Sequence, residues 1–326
     1  MIKAVFSLGL LVLASAACAL SASPFDAYSQ EQKDKMIEGD TVFVPSRLSL
    51  KNLPRPDGPQ KVLFDGRSLR GWDIWLGLPD SDTTYKPHGR PIGLNRDTTE
   101  TVSVVQEDEA PAMRISGQPW GGPITKKSYG NYHLRLQYKW GKIHSATIPR
   151  NNGILYHSYG AYGAFFDTWM RGVEFEIVGK LVGAVEMVPA GTANDGALAV
   201  DYDTQGSVRI GQDCSIPYPY RRFMPNGVRR PVAAPMVIVS PAVDAEKPVG
   251  EWNTLDLYVY RDRAVHVVNG IPVAAVENLT ARDSKGKTRP LTTGRIQLQS
   301  ESAETFFRNI TITPIKHLPD IVSSPD

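Results

Sequence analysis

Residues 129–178 carry the strictest alternation of apolar and polar positions in the chain. From Tyr132 to Trp140, the residues Tyr132, Leu134, Leu136, Tyr138 and Trp140 share one face, and His133, Arg135, Gln137 and Lys139 the other. Val173, Phe175 and Ile177 alternate in the same way with Glu174 and Glu176. Between these runs, Asn151-Asn152-Gly153-Ile154-Leu155-Tyr156-His157 predicts a strand ending in an imidazole. Placed in one sheet, the three strands gather basic, acidic, amide and imidazole groups on a single polar face. A solvated sheet face is the plain alternative; the flanking aromatics and glycines favour a polar ligand site.

The same texture runs on from Lys61. Strands are predicted at Lys61–Phe64, Val102–Val105, Ala112–Ile115, Leu255–Tyr260, Ala264–Val268, Ile271–Val276, Arg295–Gln299 and Phe306–Thr313. The acidic turn Glu107-Asp108-Glu109 joins one pair of them. Asn269-Gly270 joins another, and both residues tolerate the positive φ of a tight hairpin. The many short strands, with 28 glycines and 25 prolines in the chain, predict an all-β, two-sheet antiparallel sandwich or jelly roll. Residues 189–250, rich in Pro, Gly and Arg, read as a long loop insertion at one end of it.

The first 58 residues differ. Lys3 followed by the apolar run Ala4–Ala17 and small residues around Ala19 and Ala22 predicts a signal peptide over 1–22. The run is too short to span a bilayer, and no later stretch predicts a transmembrane helix. Export to the periplasm or medium follows. Cys18 leaves a lipoprotein as the alternative, although Ser15 stands where a lipobox usually has an aliphatic residue. Residues 23–58 read as an N-terminal extension, with a short helix from Ser29 to Ile37 and a proline-rich linker packed over the domain.

Hydrophobic residues make up 41% of the chain and charged residues 21%, enough for a substantial core. The formal charge of +2, reduced by one if Lys3 leaves with the leader, argues against nucleic acid as a partner. Of the two cysteines, only Cys214 remains after cleavage beyond Cys18, so no internal disulfide forms. Cys214 reads as a small buried apolar group.

The run Lys61-Val62-Leu63-Phe64-Asp65-Gly66-Arg67-Ser68-Leu69-Arg70-Gly71-Trp72 resembles the "LFDG-(K/T)-SL-x-GW" opening of the 3-keto-disaccharide hydrolase domain family. The resemblance continues in family order through Gly121-Gly122, Tyr129–Leu136, Asn152–His157, Val173–Glu176, Gly250–Thr254, Val268-Asn269-Gly270 and Phe307–Ile310. It implies a concanavalin-like jelly roll over 59–316, followed by a short tail at 317–326. It also implies action on glycosides whose sugar carries a ketone at C3. Asn152 stands where many relatives have Ser, Glu176 where Gln is common, and His157 where Arg is frequent. The subgroup with Tyr156-His157 and Trp169-Met170-Arg171 is the most similar.

A 3-keto-glycoside can be hydrolysed by two carboxylates. It can also lose its aglycone by elimination, because the ketone acidifies the C2 proton; water then adds to the enone. Elimination needs a base near C2, a donor or metal at the C3 oxygen, and an acid near the leaving oxygen. Glu174, Glu176 and His157 are the candidate base and acid, and Lys139 and Arg135 could stabilise the enolate. Glu174 and Glu176 stand roughly 7 Å apart at the backbone, close enough for repulsion to keep one protonated. Gln137, His133, Trp120, Trp169, Arg171 and Glu301 are candidates for binding substrate, with Tyr159 and Tyr162 as further aromatic platforms. Each has a plainer reading: a cross-strand salt bridge for Glu174, a hydrogen-bonded strand end for His157, a lid on the core for each aromatic.

No motif marks a structural metal, and no cofactor is required by the pattern. His157 with Glu174 or Glu176 could hold a divalent ion that polarises the ketone. The absence of a glycine-rich nucleotide motif means that a separate oxidoreductase must make the 3-keto sugar. Two alternatives remain: a noncatalytic carbohydrate-binding module, and a jelly-roll endoglycosidase using Glu174 and Glu176. The second lacks a glutamate at the position of Gly179.

Overall fold

The computed structural model describes residues 39–324 except 82–83, 85–88, 147, 195–196, 214, 217–220, 234–236 and 284. The leader, the Ser29–Ile37 helix and Cys214 lie outside the described residues. Every regular element longer than a turn among the described residues is a strand.

Eleven strands carry the description: β1 (Trp72–Leu76), β2 (Gly121–Thr125), β3 (Tyr132–His144), β4 (Asn151–Tyr159), β5 (Arg171–Val178), β6 (Val185–Val188), β7 (Asn253–Tyr260), β8 (Arg263–Val268), β9 (Ile271–Arg282), β10 (Arg295–Leu298) and β11 (Ala303–Pro314). In an eight-stranded front sheet, β6, β5, β4, β10, β2 and β1 lie side by side in that order. In a twelve-stranded back sheet, the order is β9, β8, β7, β3 and β11. The pairings are antiparallel, and the two sheets form a jelly-roll sandwich.

One apolar cluster fills the space between the sheets. The back sheet contributes Leu134, Leu136, Tyr138, Trp140, Leu255, Leu257 and Phe307, and the front sheet Ile154, Tyr156, Val173, Phe175, Ile177, Met187, Ile296 and Leu298. The period-2 pattern predicts the members on β3 and β5 correctly, because each strand buries one face; Met187 lies on β6, a strand not anticipated from the sequence. The pattern does not say which sheet a strand joins. β3 pairs with β7 and β11, whereas β5 pairs with β4 and β6. Their apolar faces meet in one core, so their polar faces point away from each other. The expected single groove holding Arg135, Gln137, Lys139, Glu174 and Glu176 is therefore corrected.

The predicted hairpins form. Asp108 and Glu109 have φ of 49° and 61°, and Asn269 and Gly270 have 50° and 83°, as tight primed turns require. Residues 189–250 carry more structure than predicted. Ala190–Asn194 pairs with Ala197–Asp201, and Thr204–Gln212 extends the back sheet beside β9. The extension is anchored: Arg47–Lys51 pairs with Asp320–Ser324, Leu48 enters the core, and Asp40 ion-pairs with Arg221 and Arg230.

Candidate active site

The outer face of the front sheet carries the acids. Alternation along β5 that sends Val173, Phe175 and Ile177 inward sends Glu174 and Glu176 outward. Glu174 lies opposite Glu186 of β6 on one side and Leu155 of β4 on the other, and Glu176 lies opposite Gly153. Gln297 on β10, with Gln299 and Glu301 beyond it, completes the patch. All four glutamates are buried, with Glu176 and Glu301 at 0% exposure. Carboxylate oxygens of Glu174, Glu176 and Glu186 lie within 4.8 Å of one another.

Their burial follows from the cover above them. Trp120, Leu155, Phe165, Phe166, Trp169 and Val188 form a second apolar cluster on this face. Trp120 and Trp169 stack with ring centroids 5.4 Å apart. The Phe165–Trp169 turn is held by Phe165 N donating to Trp169 O at 2.9 Å, by Trp75 Nε1 donating to Asp167 O at 2.8 Å, and by Met170 N donating to Gln297 Oε1 at 2.9 Å. Phe165, Trp169, Glu174, Glu186, Val188 and Gln299 border a cavity of about 10 Å³, the room of one water-sized sphere.

Charge is poorly offset in this pocket. No donor meets either oxygen of Glu174, Glu176 or Glu301 in hydrogen-bond geometry. Among the described residues no Lys or Arg ion-pairs with the four acids. Burial therefore raises all four carboxyls, because it penalises the charged form. Glu176 is pushed up to about 7. Glu174 rises well above the usual range through burial and then the charges of Glu176, Glu186 and Glu301, with the nearby Gln299 amide offsetting part of this. Glu186 and Glu301 rise for the same reasons, burial first and then the neighbouring glutamates.

The other expected site residues are distributed differently. His157 adopts φ of 50°, and the pairing register of β4 with β5 shifts between Arg171 and Val173. Such a bulge turns the imidazole out of the alternation. Its Nε2 lies 3.0 Å from the Arg261 carbonyl on the β7–β8 turn of the back sheet. Burial lowers its pKa to about 4, so the ring is neutral. His157 thus faces away from the glutamates, and the proposed His157–Glu174–Glu176 metal set is corrected.

Lys139 binds Asp108 at 2.8 Å and Glu107 on the back sheet, beneath Trp252. His133 and Arg135 both contact Asp256, at 2.6 and 3.1 Å, and His133 stacks on Tyr258. Gln137 Oε1 accepts from Arg308 and Asn309. These four hold the back sheet together and do not meet the acid cluster. Arg171 ion-pairs with Asp203 over the Tyr159 ring, and Tyr162 donates to Asp73 while stacking on Trp75. Of the expected set, the front face unites Glu174, Glu176, Glu301, Trp120 and Trp169. Glu186 and Gln299 join them unforeseen. The signal for Glu186 is one carboxylate inside the apolar run Val185-Glu186-Met187-Val188.

A two-sheet jelly roll with an acid-bearing outer face is the class of protein that these features define. Residues 59–313 match the model of the 3-keto-alpha-glucoside-1,2-lyase-like domain family, and the chain belongs to that family. Membership places it among carbohydrate-active jelly-roll proteins. No curated protein matches the chain. Among solved structures, it is similar to a Parabacteroides distasonis protein proposed to be a glycosyl hydrolase (16% identity, 79% of this chain and 94% of that chain covered, TM-score 0.41). It is also similar to a Bacillus subtilis protein of unknown function with a galectin-like fold (8% identity, 82% and 100% covered, TM-score 0.40). A third is a Bacillus licheniformis beta-glucanase (11% identity, 80% and 100% covered, TM-score 0.38).

Proposed function

We propose that this protein is an exported enzyme that cleaves 3-keto-glycosides at the front-sheet acid cluster, using a sugar oxidised elsewhere by a separate oxidoreductase. The observation that carries the reading is the set of four buried carboxyls gathered on one sheet face, with no Lys or Arg among the described residues ion-paired to them. Chemistry at C2 and C1 needs one group that accepts a proton and another that donates one at the same pH. Glu176, at about 7, is matched to the first role. Glu174 and Glu301, raised by burial and by their acidic neighbours, suit the second. In the elimination route, the base takes the C2 proton, the enolate expels the aglycone from C1, and water adds to the enone.

The closed cover bears on access. A sugar needs a pocket on the order of several hundred Å³, far above the cavity of about 10 Å³ over the glutamates. Turnover in this reading requires the Phe165–Trp169 turn to move off the sheet. The same closure favours a second reading, a noncatalytic carbohydrate-binding protein whose buried acids are structural. Incubation with a 3-keto-glucoside and with its unoxidised parent separates the two. Aglycone released from the oxidised compound alone supports the enzyme; turnover of neither compound removes it.

A further inference from the structure

We propose that Glu174, Glu176 and Glu186 bind one divalent cation of the hard, oxygen-preferring class, with Gln299 Oε1 as a fourth ligand. The acid cluster alone does not require this. Gln299 supplies the independent observation: its side chain is 1% exposed, its amide N–H offsets part of the charge on Glu174 while its Oε1 has no hydrogen-bond partner, and it borders the same cavity as Glu174 and Glu186. A carbonyl oxygen buried without a donor costs about 1–3 kcal/mol, and a cation is the partner that would satisfy it together with the carboxylates.

The dimensions agree. The three carboxylate oxygens all lie within 4.8 Å of one another, close enough to share one hard cation of calcium's size or smaller. Octahedral magnesium keeps most of its water, which a cavity for one small sphere does not admit, whereas calcium fills its roughly 6–8 positions in part from bidentate carboxylates. The shell offers only oxygen, because the His157 ring faces the Arg261 carbonyl, so zinc and copper lack their preferred nitrogen and sulfur ligands. Charge favours the same answer. Several ionised carboxylates without a cation cost several kcal/mol each to bury, and a divalent ion removes most of that penalty.

The inference deepens the catalytic reading without needing it for binding. With the ion in place, Glu174, Glu176 and Glu186 are ionised ligands, so charge stabilisation replaces the donor role given above to Glu174 and the base role given to Glu176. The positive charge of the ion would oppose the negative charge of an enolate.

The test uses the full chain stripped with chelator and titrated with calcium, manganese or magnesium chloride by calorimetry and thermal unfolding. Terbium serves as a luminescent stand-in for calcium, excited through Trp169 at the cavity wall. One equivalent of calcium should bind, raise Tm with concentration and displace sensitised terbium, with magnesium much weaker. Glu186→Gln should weaken binding at least about tenfold. Gln299→Met, which keeps the bulk and removes the oxygen, should weaken it by a smaller factor in a protein that still folds. Absence of any heat or Tm shift at millimolar calcium, or binding unchanged in both variants, would overturn the site. Binding without turnover of a 3-keto-glucoside sinks the catalytic reading and leaves the cation. Undiminished turnover by stripped protein that binds no ion does the reverse.

Discussion

Gly153 and Glu174 compete for one volume: a methyl group on Gly153 would stand where the Glu174 carboxylate lies, with Gln299 Oε1 close behind it. The glycine on β4 makes room for an acid on β5. Gly153→Ala should therefore push Glu174 out of the cluster. Overpacking of this kind costs about 1–3 kcal/mol, measurable by urea unfolding, and turnover of a 3-keto-glucoside should fall with it. A variant with unchanged stability and unchanged rate would show that the Glu174 position is not constrained.

Lys139 offers the opposite expectation. It lies on the outer face of the back sheet, paired with Glu107 and Asp108, and cannot reach a sugar at Glu174. Lys139→Met should lower stability by about 1–2 kcal/mol through loss of charge-assisted hydrogen bonds and leave kcat at its wild-type value. A large loss of kcat in folded protein would return Lys139 to the site.

The pH dependence of stability has a definite sign. Glu176 has a folded pKa of about 7 against an ordinary 4.5, so its contribution is fully present below about 4.5 and is lost as pH rises through 7. Glu174, Glu186 and Glu301 shift in the same direction and extend the loss to higher pH. His157 and His266, lowered from 6.5 to about 4, act oppositely: their contribution is present above 6.5 and is lost as pH falls through 4. The comparison of wild type with Glu176→Gln isolates the glutamate. In chelator-treated protein the variant should gain stability relative to wild type between pH 4.5 and 7. Parallel stability curves across that window would contradict a raised Glu176 pKa.

The alternation in Val173–Ile177 correctly marks Glu174 and Glu176 as leaving the core, and that in Tyr132–Trp140 does the same for Arg135 and Lys139. Sheet membership is not written in either run, because period 2 records one buried face whichever sheet the strand joins. That is why Lys139 and Glu176 look like partners in the sequence and lie on opposite outer faces in the fold. His157 is misplaced for a different reason. A bulge adds a residue to β4 without any break in the apolar pattern, and histidine is among the residues that tolerate positive φ. Gln299 is invisible as a cluster member because its position depends on β10 lying beside β4, a pairing between residues far apart in sequence.

The route of cleavage leaves a mark at C2. If the C3 ketone drives elimination, the C2 proton leaves during the reaction, and rehydration of the enone in D2O places solvent deuterium there. Direct displacement at C1 leaves the C2 hydrogen untouched. Product formed in D2O, analysed by NMR before spontaneous exchange of the ketone, should therefore carry deuterium at C2, and substrate deuterated at C2 should react more slowly wherever proton removal limits the rate. Glu176→Gln keeps the shape of the side chain and removes its basicity and charge. It should lower the rate on the order of 10²–10⁴ whether Glu176 takes the proton itself or holds a charge that opposes the enolate. The two roles separate on added calcium: a lost base is not rescued by the ion, whereas a weakened ligand is partly rescued when the ion is raised to saturation. Product that keeps all of its original C2 hydrogen would argue strongly against elimination, and a two-carboxylate displacement at C1 would then be the better account of the same cluster.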